Sequence, residues 1–205
     1  TDGVPPPHDE SPSSFPPPRL REPAFPGPDH PADPASRGTL THEFLQRIDL
    51  RQPCDFADLR GQLTTMVKAG VLSPAEAKEI DLDGVAWFFA TPLGGRLRSP
   101  STRVLREWPF VMGVDPTRYD PRAVARDAQD VLLVRGIIDC LLDAGEGWEV
   151  LDYKTDEVSG EALTDRAALY RGQLDIYAAA VEAVWQQPVR HRWLVFLRAR
   201  QVIPI

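Results

Sequence analysis

The clearest pattern of apolar and polar positions lies between Val131 and Asp156. Residues 131–142 are almost continuously apolar and rich in β-branched side chains, residues 145–147 supply a turn, and residues 148–154 alternate in polarity. This pattern predicts two strands joined by a turn, a β-hairpin. The period of two on the second strand divides its side chains between two faces. One face carries Trp148, Val150, Asp152 and Lys154, and the other carries Glu149, Leu151 and Tyr153.

Two carboxylates and one ammonium group therefore belong to strands that are otherwise built for burial. Asp139 ends the apolar run of the first strand, and Asp152 and Lys154 lie on the second. Buried charges are costly unless they are paired or bind an ion. A divalent metal ion held by Asp139 and Asp152, with Lys154 beside it, would offset that cost. The alternative is a structural salt bridge among the same charges.

Helical spacing of apolar residues predicts helices before this hairpin. The first has Thr39 or Thr41 as its cap and carries His42. Taken alone, a single histidine on such a helix is more often a packing or surface residue than a ligand. Two further helices are predicted over residues 55–70 and 73–90, the second with a serine, proline and glutamate start signal.

Residues 91–98 form a short polar connection or a further helical turn. The longest predicted helix follows the hairpin, with Thr164 as a cap. Its apolar stripe has helical spacing and consists of Tyr170, Leu174, Tyr177, Val181 and Val184 or Trp185.

Two more segments alternate as strands do. Residues 104–110 predict a strand in which Pro109 marks a bulge or a sheet edge. Residues 112–129 are polar and predict a loop or a poorly ordered insertion before the hairpin. Residues 189–199 alternate again and predict a strand added to the same sheet.

The composition changes sharply near the start of the chain. Twelve of the 21 prolines fall within residues 1–34, and residues 1–36 carry six acids and two arginines, a net charge of −4 that leaves −3 of the total −7 for the rest. Such a segment cannot offset the entropy of ordering, so we expect a disordered proline-rich linker over residues 1–36 and one folded domain over residues 37–205. The mild acidity of this domain argues against capture of duplex DNA by charge alone.

Several classes of protein are not expected from this sequence. No apolar stretch has the length of a membrane span and no signal peptide opens the chain, so we expect a cytoplasmic protein without a membrane partner. Cys54 and Cys140 are too few for a disulfide framework or an iron–sulfur cluster. No G-x-x-x-x-G-K-[ST] loop is present, so the chain is not itself an ATP-driven motor.

Five short segments occur in a characteristic order. They are GTLTH at residues 38–42, REWPF at 106–110, GIID at 136–139, DYKTD at 152–156 and YRGQLDIY at 170–177. Together they resemble the PD-(D/E)xK superfamily in its RecB-like form, and in particular the C-terminal nuclease domain of AddA-type helicase–nuclease subunits. The resemblance implies an α/β, restriction-endonuclease-like fold, with a central mixed β-sheet flanked by α-helices. It also favours a detached piece of a longer helicase chain.

The resemblance assigns roles to particular residues. Its metal ligands are His42, Asp139, Asp152 and the carbonyl group of Tyr153, and its catalytic residues are Asp139, Asp152, Lys154, Gln173 and Tyr177. Lys154 would position the attacking water, and Gln173 and Tyr177 would contact the DNA backbone. Glu107 is a candidate third carboxylate, with a surface glutamate as the equal alternative. The ion would be Mg²⁺ or Mn²⁺, of which Mn²⁺ accepts the nitrogen ligand more readily.

The function that this resemblance implies is metal-dependent hydrolysis of DNA, with exonuclease action favoured. The process would be the handling of double-strand breaks before recombinational repair, close to the nucleoid. The expected partners are a DNA strand end or single strand and a helicase motor, in the same or a partner chain. One alternative is a catalytically inactive nuclease-fold module that binds DNA or docks another protein, and a second is a plain interaction domain.

Overall fold

A five-stranded sheet forms the centre of the protein. The computed structural model describes residues 34–115 and 131–205 of the 205-residue chain. The strands are numbered in chain order, and their order across the sheet is the same as along the chain. They are β1 (Val104–Val114), β2 (Leu132–Asp143), β3 (Trp148–Lys154), β4 (Val189–Phe196) and β5 (Gln201–Pro204).

The sheet is mixed, as expected. The pairs β1/β2, β2/β3 and β4/β5 are antiparallel, whereas β3 and β4 are parallel. The predicted hairpin is confirmed, because β2 and β3 pair from Cys140 opposite Leu151 to Asp143 opposite Trp148. Pro109 lies on β1, an edge strand, where a residue without an N–H group costs no ladder hydrogen bond.

Helices cover both faces of the sheet. Five of them pack with Cys140, Leu151 and Tyr153 on one face, while the sixth packs with Leu141 and Val150 on the other. The five are α1 (Pro34–Arg47), α2 (Phe56–Lys68), α3 (Pro74–Glu79), α4 (Leu82–Ala90) and α5 (Pro92–Leu97), and the sixth is α6 (Glu161–Trp185). The α/β prediction is therefore confirmed. Among residues 34–115 and 131–205, no helix combines the length and the apolar character needed to cross a membrane.

Three helix boundaries differ from the prediction. Helix α1 begins at Pro34, so Thr41 lies inside it and donates from its hydroxyl to the Arg37 carbonyl rather than capping the start. The single helix predicted over residues 73–90 is two helices, because the Asp81 carboxylate accepts from the Gly84 N–H and starts α4. Helix α6 begins at Glu161, so Thr164 is not its cap.

The strands also extend beyond their predicted limits. Met112, Gly113 and Val114 belong to β1 rather than to the predicted loop. Strand β5 was not predicted. On α6 the apolar stripe ends with Trp185, which packs against the core, whereas Val184 is exposed. The linker up to residue 33 and the loop over residues 116–129 lie outside the described residues, and the domain boundary at residue 37 stays a prediction.

Helix α5 starts against the last turn of α4, and this contact depends on a glycine. A Cβ atom on Gly94 would lie 2.2 Å from the Phe88 carbonyl oxygen and 2.7 Å from the Phe89 Cα atom. Both are backbone atoms in the core and cannot move aside by a rotamer change. A Cβ atom on the neighbouring Gly95 would have no such neighbour within 4 Å.

We predict opposite results for alanine at these two glycines. Gly94→Ala is expected to lower the free energy of unfolding by about 1–3 kcal/mol through overpacking. Gly95→Ala is expected to leave it unchanged or raise it by up to roughly 1 kcal/mol, because alanine favours the helix. Urea unfolding of both variants measures this, and equal midpoints would contradict the packing argument.

Candidate functional site

The site is built where strands β2 and β3 separate. Their pairing extends from the turn to Cys140 and Leu151, and Asp139 and Asp152 are the next residues on each strand. Asp139 Oδ2 accepts a hydrogen bond of 2.7 Å from the Tyr153 N–H, so its carboxylate satisfies a backbone donor that the neighbouring strand leaves unpaired. Both aspartates are buried, with 8% exposure for Asp139 and 1% for Asp152.

Strand β1 contributes Glu107 at an irregular position. Arg106 pairs with Cys140 and Trp108 pairs with Ile138, and Glu107 between them has a φ of 51°. Arg106 points to the α1 side of the sheet and donates to the carbonyl groups of Leu45 and Ile48 at the end of that helix. Trp108 instead contacts Trp185 on the α6 side. A positive φ in a non-glycine residue costs about 1–3 kcal/mol and is common at functional sites. Here it directs the Glu107 carboxylate toward Asp139.

Helix α1 brings His42 to the same place. Its Nδ1 atom lies 3.3 Å from Asp139 Oδ1 and 3.6 Å from Glu107 Oε1, and its Nε2 atom is 3.2 Å from the Tyr153 carbonyl oxygen. Burial lowers the pKa of His42, but Asp139, Glu107 and Asp152 together outweigh burial and raise this pKa to about 9. In the absence of a metal ion the imidazole is therefore protonated at neutral pH, with both nitrogens as donors.

Ligand atoms of His42, Glu107 and Asp139 all lie within 4.8 Å of one another. Two carboxylates and one imidazole are a donor set that fits a divalent transition-metal ion such as Mn²⁺. The pKa of Glu107 is raised, first by burial and then by the charge of Asp139. The group thus concentrates negative charge that a cation would stabilise.

Asp152 lies beside this group and faces Lys154. The Lys154 Nζ atom is 2.6 Å from Asp152 Oδ2, yet the direction of the contact leaves this buried oxygen without a well-oriented hydrogen bond. Burial and then Asp139 raise the pKa of Asp152 to about 7, although the Lys154 charge opposes the shift. An under-satisfied buried oxygen next to the three-residue group fits a further ligand to the same ion.

A chain of contacts links Lys154 to helix α6. Its Nζ atom donates to Gln173 Oε1 at 3.1 Å, and the Gln173 amide donates to the Tyr177 hydroxyl at 2.7 Å. Tyr177 is buried, while Gln173 is partly exposed. A cleft of about 450 Å³ opens onto His42 and Lys154 from the solvent.

The structure thus brings together most of the residues that the sequence pointed to. His42 contacts Asp139, the Tyr153 carbonyl oxygen and Glu107, and a surface position was the alternative for Glu107. The contact of Gln173 with Lys154, and of Tyr177 with Gln173, was not anticipated, and the role of both residues toward DNA stays a prediction.

Sequence reasoning also missed Tyr170 and Asp156 next to Lys154. The ammonium group lies 4.0 Å from the centroid of the Tyr170 ring, and the Tyr170 hydroxyl donates to Asp156. Tyr170 lies three residues before Gln173, a spacing that places both on one helix face and was the available signal.

Comparison with known proteins agrees with this geometry. A family model described as the PD-(D/E)XK nuclease superfamily matches residues 18–203. An ATP-dependent helicase/nuclease subunit of Carboxydothermus hydrogenoformans is 36% identical over 173 residues, which are 84% of this chain and 15% of that protein. The proteins of the same name from Moorella thermoacetica and Lacticaseibacillus paracasei are 38% and 40% identical over 86% and 84% of this chain, and over 12% and 14% of their own lengths.

The chain therefore spans 12–15% of the length of these relatives. The family match, in contrast, extends over most of the chain, including the strands and helices that form the site. The mixed sheet with helices on both faces has the architecture that the resemblance implied. We conclude that the chain belongs to the PD-(D/E)XK nuclease superfamily.

Proposed function

We propose that this chain is a divalent-metal-dependent deoxyribonuclease domain that degrades DNA from strand ends, as the nuclease module of a helicase–nuclease. The observation that carries the proposal is the group of His42, Glu107 and Asp139, whose ligand atoms lie within 4.8 Å of one another, next to the Asp152–Lys154 pair. The family match and the names of the relatives support it. A catalytically inactive module would not need this complete set of charges.

The residues of the chain divide the work of phosphodiester hydrolysis. His42, Glu107 and Asp139 would hold the ion, with Asp152 and the Tyr153 carbonyl oxygen as further ligands. When bound, a divalent ion polarises the scissile phosphate and stabilises the leaving oxygen. Asp152 lies beside this group and contacts Lys154, which is two residues further along β3. A phosphate placed against the group would therefore also be close to Lys154.

Lys154 supplies positive charge from the chain itself. Its ammonium group orients the attacking water and stabilises the negative charge that develops on the phosphate. Gln173 fixes this ammonium group through its side-chain oxygen, and its partly exposed edge can also reach the DNA backbone. Tyr177 is buried, and its hydroxyl group accepts a hydrogen bond from the Gln173 amide and so holds that side chain in place.

The proposed biological setting is the processing of double-strand breaks before recombinational repair. The relatives are named as ATP-dependent helicase/nuclease subunits, and this sequence carries no G-x-x-x-x-G-K-[ST] loop. A motor that delivers a single strand removes the need for capture by charge, which agrees with a net charge of −7. The partner is therefore a helicase motor, in the same chain or in another.

The first prediction from the proposed function concerns cleavage by the purified protein. Linear DNA should be degraded with Mg²⁺ or Mn²⁺ and left intact with EDTA. His42→Ala and Asp139→Ala should each lower the rate by about 100-fold or more, because even residues that only support a metal ligand are worth roughly 10- to 100-fold. Gel analysis of end-labelled DNA measures the rate.

Gln46→Ala is the matched control for His42→Ala. Gln46 is exposed, lies one turn further along α1, and does not belong to the group of His42, Glu107 and Asp139. This variant should cleave at the wild-type rate. Wild-type activity in His42→Ala would remove the histidine from the site, and activity in EDTA would contradict metal dependence.

The second prediction separates metal binding from strand contact. Gln173→Ala should weaken DNA binding or slow cleavage by about tenfold, the effect of roughly 1.4 kcal/mol. Its affinity for Mn²⁺ should stay nearly unchanged, because Gln173 contacts Lys154 rather than the three-residue group. Titration calorimetry with Mn²⁺ and fluorescence anisotropy with DNA measure the two quantities. Loss of Mn²⁺ binding in this variant would contradict the assigned role.

A further inference from the structure

Lys154 is held from three sides in this protein. Its Nζ atom lies 2.6 Å from Asp152 Oδ2, 3.1 Å from Gln173 Oε1 and 4.0 Å from the centroid of the Tyr170 ring. A lysine side chain has a flexible four-carbon stem, so its ammonium group has no fixed position unless its surroundings impose one. Only one of the three contacts is with a charged group. The other two contacts are with neutral side chains, so they do not depend on whether Asp152 is charged.

The Tyr170 ring is itself fixed by a second set of contacts. Its hydroxyl group donates to the Asp156 carboxylate and lies 3.1 Å and 3.3 Å from the two oxygens. Asp156 Oδ1 is in turn 3.0 Å from Arg166 Nε. Asp156 follows Lys154 by two residues just beyond β3, whereas Tyr170 and Arg166 lie on α6. These contacts therefore connect the end of β3 to one face of α6.

The chemistry of this arrangement suits a restraint on a cation. The face of an aromatic ring carries partial negative charge and attracts an ammonium group. A hydroxyl that donates to a carboxylate gains electron density, which makes the ring face more attractive to a cation. Partial burial, and then the Asp156 charge, raise the pKa of Tyr170, so its hydroxyl stays protonated and continues to donate.

We infer that Tyr170, oriented by Asp156, is a positioning residue that holds the Lys154 ammonium group at the scissile phosphate. The catalytic part of this inference, that the ammonium group is held at the scissile phosphate, rests on the proposed nuclease function. The geometric part, the stacking of the ammonium group on the ring, does not depend on that function. Tyr170 acts through Lys154 and does not itself touch the reacting atoms.

The sequence allows a direct test by NMR. The chain has three lysines, and Lys68 and Lys78 are both exposed, so protein labelled with ¹³C in lysine gives one site signal and two internal references. The ring current of Tyr170 should move the ε-methylene protons of Lys154 upfield of the two references. Tyr170→Phe should keep this displacement, because the ring remains, and Tyr170→Leu should remove it. A Lys154 signal that is unchanged by Tyr170→Leu would overturn the inference.

Kinetics then test whether the restraint matters for the reaction. With Mg²⁺ or Mn²⁺ present, Tyr170→Leu should lower kcat about tenfold with little change in KM, as expected for the loss of a partly buried cation–π contact. Tyr170→Phe should recover most of the lost rate. Leu169→Ala is the matched control, since Leu169 is the preceding residue of α6 and is 73% exposed.

The possible failures are distinguishable. A higher KM with unchanged kcat in Tyr170→Leu would show that Tyr170 binds substrate rather than positions Lys154, and would overturn the inference. Equal losses in the phenylalanine and leucine variants would also overturn it, because the ring would then be irrelevant. Absence of cleavage by the wild type, with the displaced Lys154 signal present, would instead contradict the proposed function and leave the geometric part supported.

Discussion

Repulsion among buried carboxylates is the constraint on which the site depends. Asp139 and Asp152 are the first residues after the pairing of β2 and β3 ends, and a positive φ turns Glu107 of the neighbouring strand toward Asp139. Removing such groups from water is costly unless opposite charge is supplied nearby. The raised pKa values of Asp152 and Glu107 reflect this cost. The surrounding structure supplies compensation from both faces of the sheet.

Each face contributes a different kind of partner. Helix α1 brings the His42 imidazole, which takes a proton when no ion is bound and would offer a nitrogen ligand to the proposed ion. Helix α6 brings neutral groups, Gln173 and Tyr170, which hold the Lys154 ammonium group. Two strands of the sheet separate at one point, and helices pack on both faces there. This arrangement brings together carboxylates, an imidazole and an ammonium group from segments that lie far apart along the chain.

Much of this was predictable because it is local. Alternation along residues 148–154 indicated which face Asp152 and Lys154 share, and the motif order indicated the fold and His42. The rest depends on contacts between distant residues. The positive φ at Glu107 arises from tertiary packing, which local propensity does not describe. The helix start at Asp81 is an exception, since this aspartate is a local cap that sequence reasoning missed. To predict that the Tyr170 ring lies against the Lys154 ammonium group, one would need the distance between α6 and β3, and spacing within one segment does not provide it.

The most direct test of the proposed metal site is the melting temperature of the wild type and Asp152→Asn at pH 8, in EDTA and in millimolar Mn²⁺. Because the pKa of Asp152 is raised to about 7 in the folded protein, the fold loses stability as the pH rises from the usual carboxyl range to about 7, and the full loss is present at pH 8. Asp152→Asn should therefore melt at or above the wild-type temperature in EDTA, and Mn²⁺ should stabilise the wild type more than the variant. A structural salt bridge predicts the reverse, a loss of roughly 3–5 kcal/mol in EDTA. That loss, with no response of the wild type to Mn²⁺, would contradict the account.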